Sequence, residues 1–416
     1  MLNFKIISKL KNIFFPFYKD PDLRFVFNEI QKDQPKNLKT IMYVGGCVRK
    51  FLQNEKIDDV DLATNLTPDQ IKEKFKKSKF DVLDTGIKYG TVTLIHKNKK
   101  FEITTLRKDT KTDGRHALVS YTDNWFEDSK RRDISINAIY LDDTGKIYDP
   151  QGGVEDLKKK VVKFIGSPST RIQEDYLRIL RFLRFAIQYD SSTDLETISA
   201  LKQNLDGIQK ISKERILDEL IKILKLKNFY NILKHENKKF IFSIIFPELK
   251  YLDRISKLMY LKKFEIDVDL ILAILLFDDS NNCEYFCHKY KISNELNENL
   301  NSLFKVYTKN KFDLNFFKKN LKKNIYFYGK EKIKKLAIIR FAEKLNVSQG
   351  DLIILQKIEK EKIPIFPYDG YYLKKKGIEE GVVIGKTLKL IESEWINNDF
   401  NISQKQISKI IEKQIN

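Results

Sequence analysis

The chain has 416 residues, which suggests two to four domains because single hydrophobic cores stop growing at about 250–300 residues. Its formal net charge of +20 favours a polyanionic partner such as nucleic acid, although a bias toward lysine for solubility would give the same excess. Three cysteines are too few for a disulfide framework, and the longest apolar run, near 268–277, is about half the length of a membrane span. We therefore expect a cytoplasmic protein that is neither secreted nor membrane-bound, and we infer no obligate protein partner.

Residues 1–16 carry apolar side chains at roughly helical spacing between lysines. The pattern predicts a first helix packed on the domain, although a surface-seeking helix or a weak organelle-targeting segment would show the same spacing. In chain order we then predict a helix over 22–32, a strand at 40–44, a helix over 47–54, a strand through Val60, a helix opening at Pro68, and paired strands at 91–95 and 101–106. From about residue 150, leucine and isoleucine recur every three or four positions, which predicts an all-helical remainder.

The stretch YVGGCVRKFLQNEKIDDVDLAT carries the first chemical signal. Gly45 and Gly46 follow an apolar run and allow backbone N–H groups to approach a phosphate, because no Cβ intervenes. Asp59 and Asp61 are two residues apart, so on a strand both carboxylates share one face and suit Mg²⁺, which takes further ligands from substrate phosphates. Alone, the glycine pair is usually a turn and the Asp-x-Asp a solvated strand end. In this order and with Arg49, they suggest that the chain handles a nucleoside triphosphate.

This ordered combination resembles the nucleotidyltransferase signature of the polymerase-β superfamily, in the form used by class II tRNA nucleotidyltransferases and bacterial poly(A) polymerases. The resemblance implies an α+β fold, with an N-terminal polymerase-β-like nucleotidyltransferase head on a mixed sheet followed by an all-α neck, body and tail. It implies that Asp59 and Asp61 are catalytic and bind two Mg²⁺ ions, and that the glycine pair and Arg49 bind the nucleotide. We place the head at 1–150 with an N-terminal helical extension at 1–22, the base-recognition neck at 151–225, and an RNA-binding body and tail at 226–416.

Further residues of the head match the same family. Glu102, on the second of the paired strands, corresponds to a third carboxylate, although it would equally suit an exposed strand position. Residues 107–127 have few apolar periodicities, which predicts a loop that orders on demand. Its DGRH sequence at 113–116 resembles the flexible loop of class II enzymes, and its full length favours addition of the whole CCA. TGIKYGTVTLI at 85–95 stands where bacterial poly(A) polymerases usually have an arginine-rich segment, which also favours tRNA.

The segment DSKRRDISINAIY resembles the second motif of the family. Arg132 supplies a fork of donors suited to a triphosphate. Asp133 and Asn137 lie one helical turn apart, so both side chains can face one ligand, and in the family this region contacts the ribose. Without its neighbours, the segment would be an ordinary basic turn before a helix. The next sequence, DPQGGVEDL, resembles a hinge-like motif, and Asp149 with the glycine pair suits a turn that permits rigid-body movement.

The stretch EDYLRILRFLRF is apolar except for two acids and an arginine at every third position. A helix this apolar must be buried, so its arginines need a structural ion-pair network or must face the nucleotide pocket. The stretch resembles the family's Glu-Asp-x-x-Arg template. It implies that Asp175 and Arg178, as neighbours on the helix surface, read the incoming base through a contact worth about 1–3 kcal/mol. Arg181 and Arg184 would line the same pocket.

The remaining sequence carries weaker signals. ISKERILDELIKIL at 211–224 resembles the last and least specific motif of the family. Lysines alternate with aromatic residues over 311–335, which suits an RNA backbone and its stacked ends, or equally an amphipathic helix pair with a solvated lysine face. The segment at 366–395 resembles the tail of many class members, and Lys374 to Lys376 could approach a tRNA backbone.

The resemblance implies a template-independent tRNA nucleotidyltransferase that adds the 3′-terminal CCA to tRNA from CTP and ATP in a Mg²⁺-dependent two-metal reaction. A poly(A) polymerase would use the same head and differ in product length, and an enzyme adding only A or only CC would need a companion. In a different class, the chain could be a catalytically silent RNA-binding protein. The intact carboxylates argue against that alternative, because a binder has no need to place two negative charges beside RNA.

Overall fold

The computed structural model divides the chain into two compact units. The first unit ends at Pro247 and the second begins at Glu248. The predicted boundaries at 150 and 225 both fall within the first unit and remain predictions. The described residues are 20–35, 38–112, 117–261, 263–309, 314–345, 348–379 and 381–415. The helix predicted at 1–16 lies outside them.

Mixed α and β elements build the first part of the chain, as the α+β prediction requires. They are α1 (Pro21–Gln31), β1 (Ile41–Val44), α2 (Gly46–Leu52), β2 (Asp61–Thr64), α3 (Pro68–Phe75), β3 (Asp81–Gly86), β4 (Thr91–His96), β5 (Lys99–Thr105), β6 (Arg107–Thr112), β7 (Ala117–Tyr121), α4 (Trp125–Lys130), β8 (Tyr140–Leu141) and β9 (Ile147–Tyr148). Seven strands form one sheet in the order β3-β4-β5-β2-β1-β8-β9. β2 and β5 are parallel and the other neighbours antiparallel, so the predicted mixed sheet is confirmed.

Local sequence explains where these elements begin and how they pack. Thr67 caps α3 in a capping box with Gln70, and Pro68 occupies the first helical turn, where its missing N–H costs nothing. Every side chain of β1 is buried, and Val44 and Tyr140 belong to one apolar cluster that joins β1 to β8. The predicted paired strands are confirmed as β4 and β5.

Residues 107–127 are more ordered than predicted. β6 pairs with β7 as an antiparallel hairpin, and α4 follows it. The prediction of a loop over the whole segment was therefore wrong. Backbone hydrogen bonding joins two strands without the apolar periodicity from which we inferred the loop. The DGRH sequence at 113–116 lies outside the described residues.

The helices after the sheet include a break that the sequence did not reveal. They are α5 (Gly153–Lys159), α6 (Pro168–Glu174), α7 (Leu177–Gln188), α8 (Leu195–Gln203), α9 (Lys213–Leu224) and α10 (Glu236–Ile245). The single helix predicted through 174–185 was wrong, because Asp175 is extended, with φ −157° and ψ 107°. Its Oδ1 accepts a hydrogen bond from the N–H of Leu177 at 3.1 Å. An aspartate favours such a position over a helix interior because its short side chain competes for backbone donors.

The motif predicted to be a hinge forms the tightly packed start of α5. The Asp149 carboxylate accepts hydrogen bonds from the N–H groups of Gly153 at 2.8 Å and Val154 at 2.9 Å. A Cβ added to Gly153 would lie 2.2 Å from the carbonyl oxygen of Ser135. Glycine is therefore required here by the approach of two backbones. The rigid-body movement predicted for this motif stays a prediction.

We expect Gly153→Ala to lower the free energy of unfolding by about 1–3 kcal/mol, because the added methyl group forces two backbone segments apart. Urea denaturation measures the change. Gly385→Ala is the matched control, since its Cβ would meet no atom within 4 Å and alanine favours a helix. An equal effect of the two substitutions would contradict the close packing at Gly153.

In the described part of the second unit, helices and connecting segments are present and strands are absent. Its helices are α11 (Val268–Leu276), α12 (Asn282–Tyr290), α13 (Asn294–Lys309), α14 (Leu314–Phe317), α15 (Leu321–Tyr328), α16 (Lys330–Glu343), α17 (Gln349–Lys360), α18 (Gly370–Lys375), α19 (Val382–Asn397) and α20 (Gln404–Ile415), with a 3₁₀ segment at Leu252–Leu261. The longest apolar run of the sequence is α11, whose residues from Leu270 to Leu276 are all buried. Among the helices that the structure describes, none combines the length and apolarity that crossing a bilayer requires.

Aromatic residues of the 311–335 stretch mainly build this unit. Phe316 and Phe317 are buried, and Tyr326 packs on Trp395 with ring centroids 5.6 Å apart. Phe327 is 56% exposed. The amphipathic interpretation therefore accounts for most of the described aromatic residues, and contact with RNA stays a prediction.

Candidate active site

Two carboxylates meet at the junction of β2 and β5. Asp61 begins β2, and the parallel register sets it opposite Glu102 on β5. Opposite residues in a ladder point to the same face, so the two side chains are neighbours. Asp59 is exposed and precedes the first residue of β2. The strand expected to carry both aspartates therefore contains only Asp61, although Asp59 remains close enough to act on its charge.

The electrostatics of this corner favour a cation. The pKa of Asp61 is raised because the surrounding protein desolvates its carboxyl group and because Glu102 and Asp59 repel its charge, against the opposing effect of Arg132 and Arg49. Asp61 as a residue is exposed to solvent, so desolvation here is partial. Because these surroundings destabilise the ionised form of the Asp61 carboxylate, a bound cation would stabilise it.

The three carboxylates suit magnesium better than a metal whose ligands all come from protein side chains. In the described ranges, no three histidine, cysteine, aspartate or glutamate side chains converge into a metal-binding group. Magnesium uses one or two carboxylates and completes its octahedron with water and substrate phosphates. Asp59 and Asp61, with Glu102 beside them, satisfy that requirement.

The glycine turn opens directly beside this corner. Gly45 joins β1 to α2 with φ 73°, a conformation that glycine adopts at little cost. A Cβ there would lie 4.0 Å from Asp61 Oδ2 and 4.0 Å from Arg132 Nη1. An anionic and a cationic side chain therefore both approach Gly45, and Gly46 follows as the first residue of α2. A triphosphate that binds with a metal ion suits such a site, because the carboxylate can bind the metal and the guanidinium can bind the phosphate.

A buried aspartate orients Arg132. Asp128 Oδ2 accepts hydrogen bonds from Arg132 Nη2 at 3.1 Å and from the Tyr140 hydroxyl at 2.7 Å, and Oδ1 accepts one from Arg131 Nε at 2.7 Å. The remaining nitrogen of Arg132, Nη1, faces Gly45. Sequence reasoning missed Asp128, although its spacing of four residues before an arginine was a usable signal.

We expect the stabilisation that Asp128 provides to disappear in acid. Burial would raise its pKa, but the charges of Arg132 and Arg131 and the Tyr140 hydroxyl outweigh burial and lower the pKa to about 2. Because the folded pKa lies below the unfolded one, about 2 kcal/mol of stability is present above pH 4 and is lost as the pH falls toward 2. The difference in unfolding free energy between wild type and Asp128→Asn should therefore shrink over that range.

Urea denaturation at pH 6, 4 and 3 measures this difference. Asp123→Asn, at an exposed position on the same stretch, serves as the control and should show no such trend. A gap between wild type and Asp128→Asn that stays constant with pH would contradict the role of the carboxylate charge.

A chain of hydrogen bonds links the glycine motif to α7. Arg49 Nη1 donates to Asn137 Oδ1, and Asn137 Nδ2 donates to Asp133 Oδ1 at 3.1 Å. Asp133 Oδ2 accepts from Arg181 Nε at 2.7 Å. Arg49 also packs its guanidinium 4.7 Å from the ring centroid of Phe185, and its buried Nε has no hydrogen-bond partner in the described part of the chain. Arg49 and the two residues expected to contact the ribose therefore form one connected group with Arg181.

The arginine stripe of α7 is satisfied by carboxylates. Arg178 Nη1 pairs with Glu174, and Arg184 Nε donates to Glu219 Oε2 at 2.8 Å. Glu219 is 2% exposed and also lies 4.0 Å from Arg181 Nη1. The structural ion-pair network that the sequence suggested for these arginines is therefore present. Asp133, which binds Arg181, connects it to the DSKRRDISINAIY segment.

Asp175 and Arg178 are engaged differently from the prediction. Arg215 Nη2 donates to Asp175 Oδ2 at 2.7 Å, while the guanidinium of Arg178 binds Glu174 and the carbonyl oxygen of Arg171. The two side chains are therefore not neighbours on one helix face, since Asp175 precedes α7. A backbone hydrogen bond of 2.9 Å from Arg178 N–H to the Asp175 carbonyl still holds them close. Sequence reasoning missed Arg215 and Glu219, which lie in the stretch we judged least specific.

Comparison with known proteins agrees with this geometry. Residues 41–163 match the family model described as the poly A polymerase head domain, and residues 193–252 match a probable RNA and SrmB-binding site of polymerase A. The mitochondrial CCA tRNA nucleotidyltransferase 1 of Homo sapiens is 34% identical over 411 residues, which cover 95% of this chain and 92% of the human one. The chain belongs to the CCA-adding tRNA nucleotidyltransferase family.

Solved structures of CCA-adding enzymes share the fold. The Bacillus stearothermophilus CCA-adding enzyme in complex with CTP superposes with a TM-score of 0.67 at 22% identity, covering 95% of this chain and 98% of that one. The Thermotoga maritima CCA-adding enzyme complexed with tRNA gives 0.66 at 21% identity, covering 95% and 96%. The predicted family, fold class and enzyme class of this CCA-adding family member are confirmed.

Proposed function

We propose that this nucleotidyltransferase adds the 3′-terminal CCA to tRNA from CTP and ATP without a nucleic-acid template. Its identity to the human enzyme extends over nearly the whole of both chains, so head and helical remainder are shared. The observation that supports the proposal is the approach of both Asp61 and Arg132 to Gly45. That arrangement brings a carboxylate suited to a metal and a guanidinium suited to phosphate to one backbone position that carries no side chain.

The chain's own residues would divide the chemistry as follows. Asp59 and Asp61 would hold two Mg²⁺ ions, and Glu102 would serve as the third carboxylate. When bound, magnesium supplies a Lewis acid that eases deprotonation of the primer 3′-hydroxyl and stabilises the leaving pyrophosphate. Arg132, oriented by Asp128, would bind the triphosphate, and Arg49 would reach the same phosphates from α2. Alignment of the reacting groups then supplies most of the remaining rate enhancement.

Base selection would fall to the start of α7. Asp175 offers acceptors for an exocyclic amino group, which cytosine and adenine both carry, and Arg178 offers donors. Uracil and guanine present a carbonyl oxygen at the corresponding position, which an ionised aspartate repels. Arg181 and Arg184, neutralised by Asp133 and Glu219, would line the pocket.

Product length tests the function directly. A tRNA lacking its three terminal nucleotides is incubated with CTP, with ATP and with both. We expect two nucleotides to be added from CTP alone and three from the mixture. A long adenylate tract from ATP would identify a poly(A) polymerase, and a stop after two nucleotides in the mixture would identify a CC-adding enzyme. A second tRNA that already ends in CC separates the remaining cases, because an A-adding enzyme extends it by one residue from ATP and a silent RNA-binding protein extends neither tRNA.

We also propose a cytoplasmic location. All three cysteines are free, which suits a reducing compartment. The human relative carries the word mitochondrial in its name, and a mitochondrial matrix is reducing as well. Fluorescence of the tagged full chain in its host cell distinguishes the two compartments, and signal confined to an organelle would reject the cytoplasmic location.

A further inference from the structure

Lys100 lies beside the carboxylates at the junction of β2 and β5. Lys100 and Glu102 are two residues apart on β5, so both side chains project from the same face of the sheet. Glu102 is opposite Asp61 in the parallel register. Asp59 lies just ahead of β2, two residues before Asp61. This corner therefore contains three anionic side chains and one cationic side chain.

The ammonium group of Lys100 pairs with the carboxylate that lies opposite Asp61. Its Nζ lies 2.5 Å from Glu102 Oε1. With its side chain 60% exposed, the ammonium is free to move away from the corner at little cost.

The neighbouring Lys99 shows that this placement is specific. Lys99 points to the other face of β5, where its Nζ binds Asp20 and Asp22, each at 2.9 Å. The two lysines therefore have equal charge and adjacent positions, but only Lys100 faces the carboxylates assigned to the metal. Lys99 provides a matched control for any effect of net charge.

We propose that Lys100 is a tethered counter-ion that competes with divalent metal for the Asp59, Asp61 and Glu102 carboxylates. The inference rests on the proposed metal-binding role of these carboxylates. Without metal, the ammonium relieves their mutual repulsion. Metal binding displaces it toward solvent, and the lost ion pairs are subtracted from the affinity for the metal. Lys100 thereby sets the metal concentration at which the site fills.

The test is Mn²⁺ binding to the full chain without nucleotide or tRNA, measured by electron paramagnetic resonance of the free ion at constant ionic strength. Lys100→Met removes the charge and keeps the aliphatic length. Because exposed ion pairs are weak, we expect Lys100→Met to bind Mn²⁺ roughly two- to fivefold more tightly than wild type. Lys100→Arg and Lys99→Met should both bind like wild type.

The outcomes separate this inference from the proposed function. Affinity of Lys100→Met equal to or below that of wild type, while Asp61→Asn loses Mn²⁺, overturns the role of Lys100 alone. If Asp61→Asn keeps wild-type Mn²⁺ binding, the metal assignment fails and the counter-ion role falls with it. Should Lys100→Met fold poorly, as circular dichroism would reveal, Lys100→Gln at the same exposed position gives the same comparison.

Discussion

Asp61→Ala is expected to abolish nucleotide incorporation while tRNA binding survives. The carboxylate is adjacent to Glu102 and to the glycine turn, where the triphosphate and its metal are proposed to bind. Loss of a Lewis acid worth several kcal/mol corresponds to a rate reduction of roughly a thousandfold or more. The affinity for tRNA should persist, because it depends on the overall positive charge and not on an anionic side chain. Asp59→Ala should behave in the same way.

Single-turnover incorporation of labelled CTP and fluorescence anisotropy of labelled tRNA measure the two effects. Asp58→Ala is the control, since Asp58 is exposed, pairs with Lys50 at 2.8 Å and should be dispensable. Thermal unfolding excludes loss of the fold. The raised pKa of Asp61 means that its charge destabilises the folded state at neutral pH, so Asp61→Ala should melt no lower than wild type. Turnover retained by either aspartate variant would remove the metal assignment.

Asp175→Ala is expected to lose the choice of base more than overall binding. A bidentate base contact discriminates by about 1–3 kcal/mol, so selection of CTP over UTP and of ATP over GTP should fall about 5- to 150-fold. The measurement is kcat/KM for each nucleotide, on tRNA lacking three terminal nucleotides for the first addition and lacking one for the last. Unchanged discrimination among the four nucleotides would exclude Asp175 as the base reader.

Arg215→Met distinguishes loss of the base contact from loss of structure around it. Both substitutions break the 2.7 Å ion pair between Asp175 and Arg215, but only Asp175→Ala removes the carboxylate. We expect Arg215→Met to keep most of the discrimination, since the carboxylate remains anchored by the N–H of Leu177. Equal losses in the two variants would show that the ion pair, and not direct contact with the base, governs selection.

Several features of the site could be predicted because short sequence segments determine them. The glycine pair, Arg49 and Asp61 follow one another within a single strand-helix-strand unit, so their order alone indicated the chemistry. The paired strands carrying Glu102 were equally accessible, because the turn between them is short. In contrast, backbone hydrogen bonds join β6 to β7, and this pairing leaves little trace in the spacing of apolar residues.

The interruption of the helix at Asp175, before α7, is a feature that the spacing of apolar residues does not predict. The apolar positions from Leu177 onward continue smoothly from the preceding residues, so the spacing gives no sign of an interruption. Asp175 interrupts the helix because its carboxylate has two competing partners, the N–H of Leu177 and the guanidinium of Arg215. The second of these lies 40 residues away, which a local pattern does not register.

The sequence by itself determined the family, the fold class and the residue types that carry the charge of the site. Only the tertiary structure decided which side-chain oxygen pairs with which arginine: Asp133 binds Arg181 across 48 residues, and the amide of Asn137 binds Arg49 across 88. The physical reason is that a motif specifies local conformation, whereas the partner of a buried charge depends on which distant segment packs against it. Because burying an unpaired charge costs several kcal/mol (roughly), each buried arginine or aspartate must find a partner, and the packing of distant segments determines which one it finds.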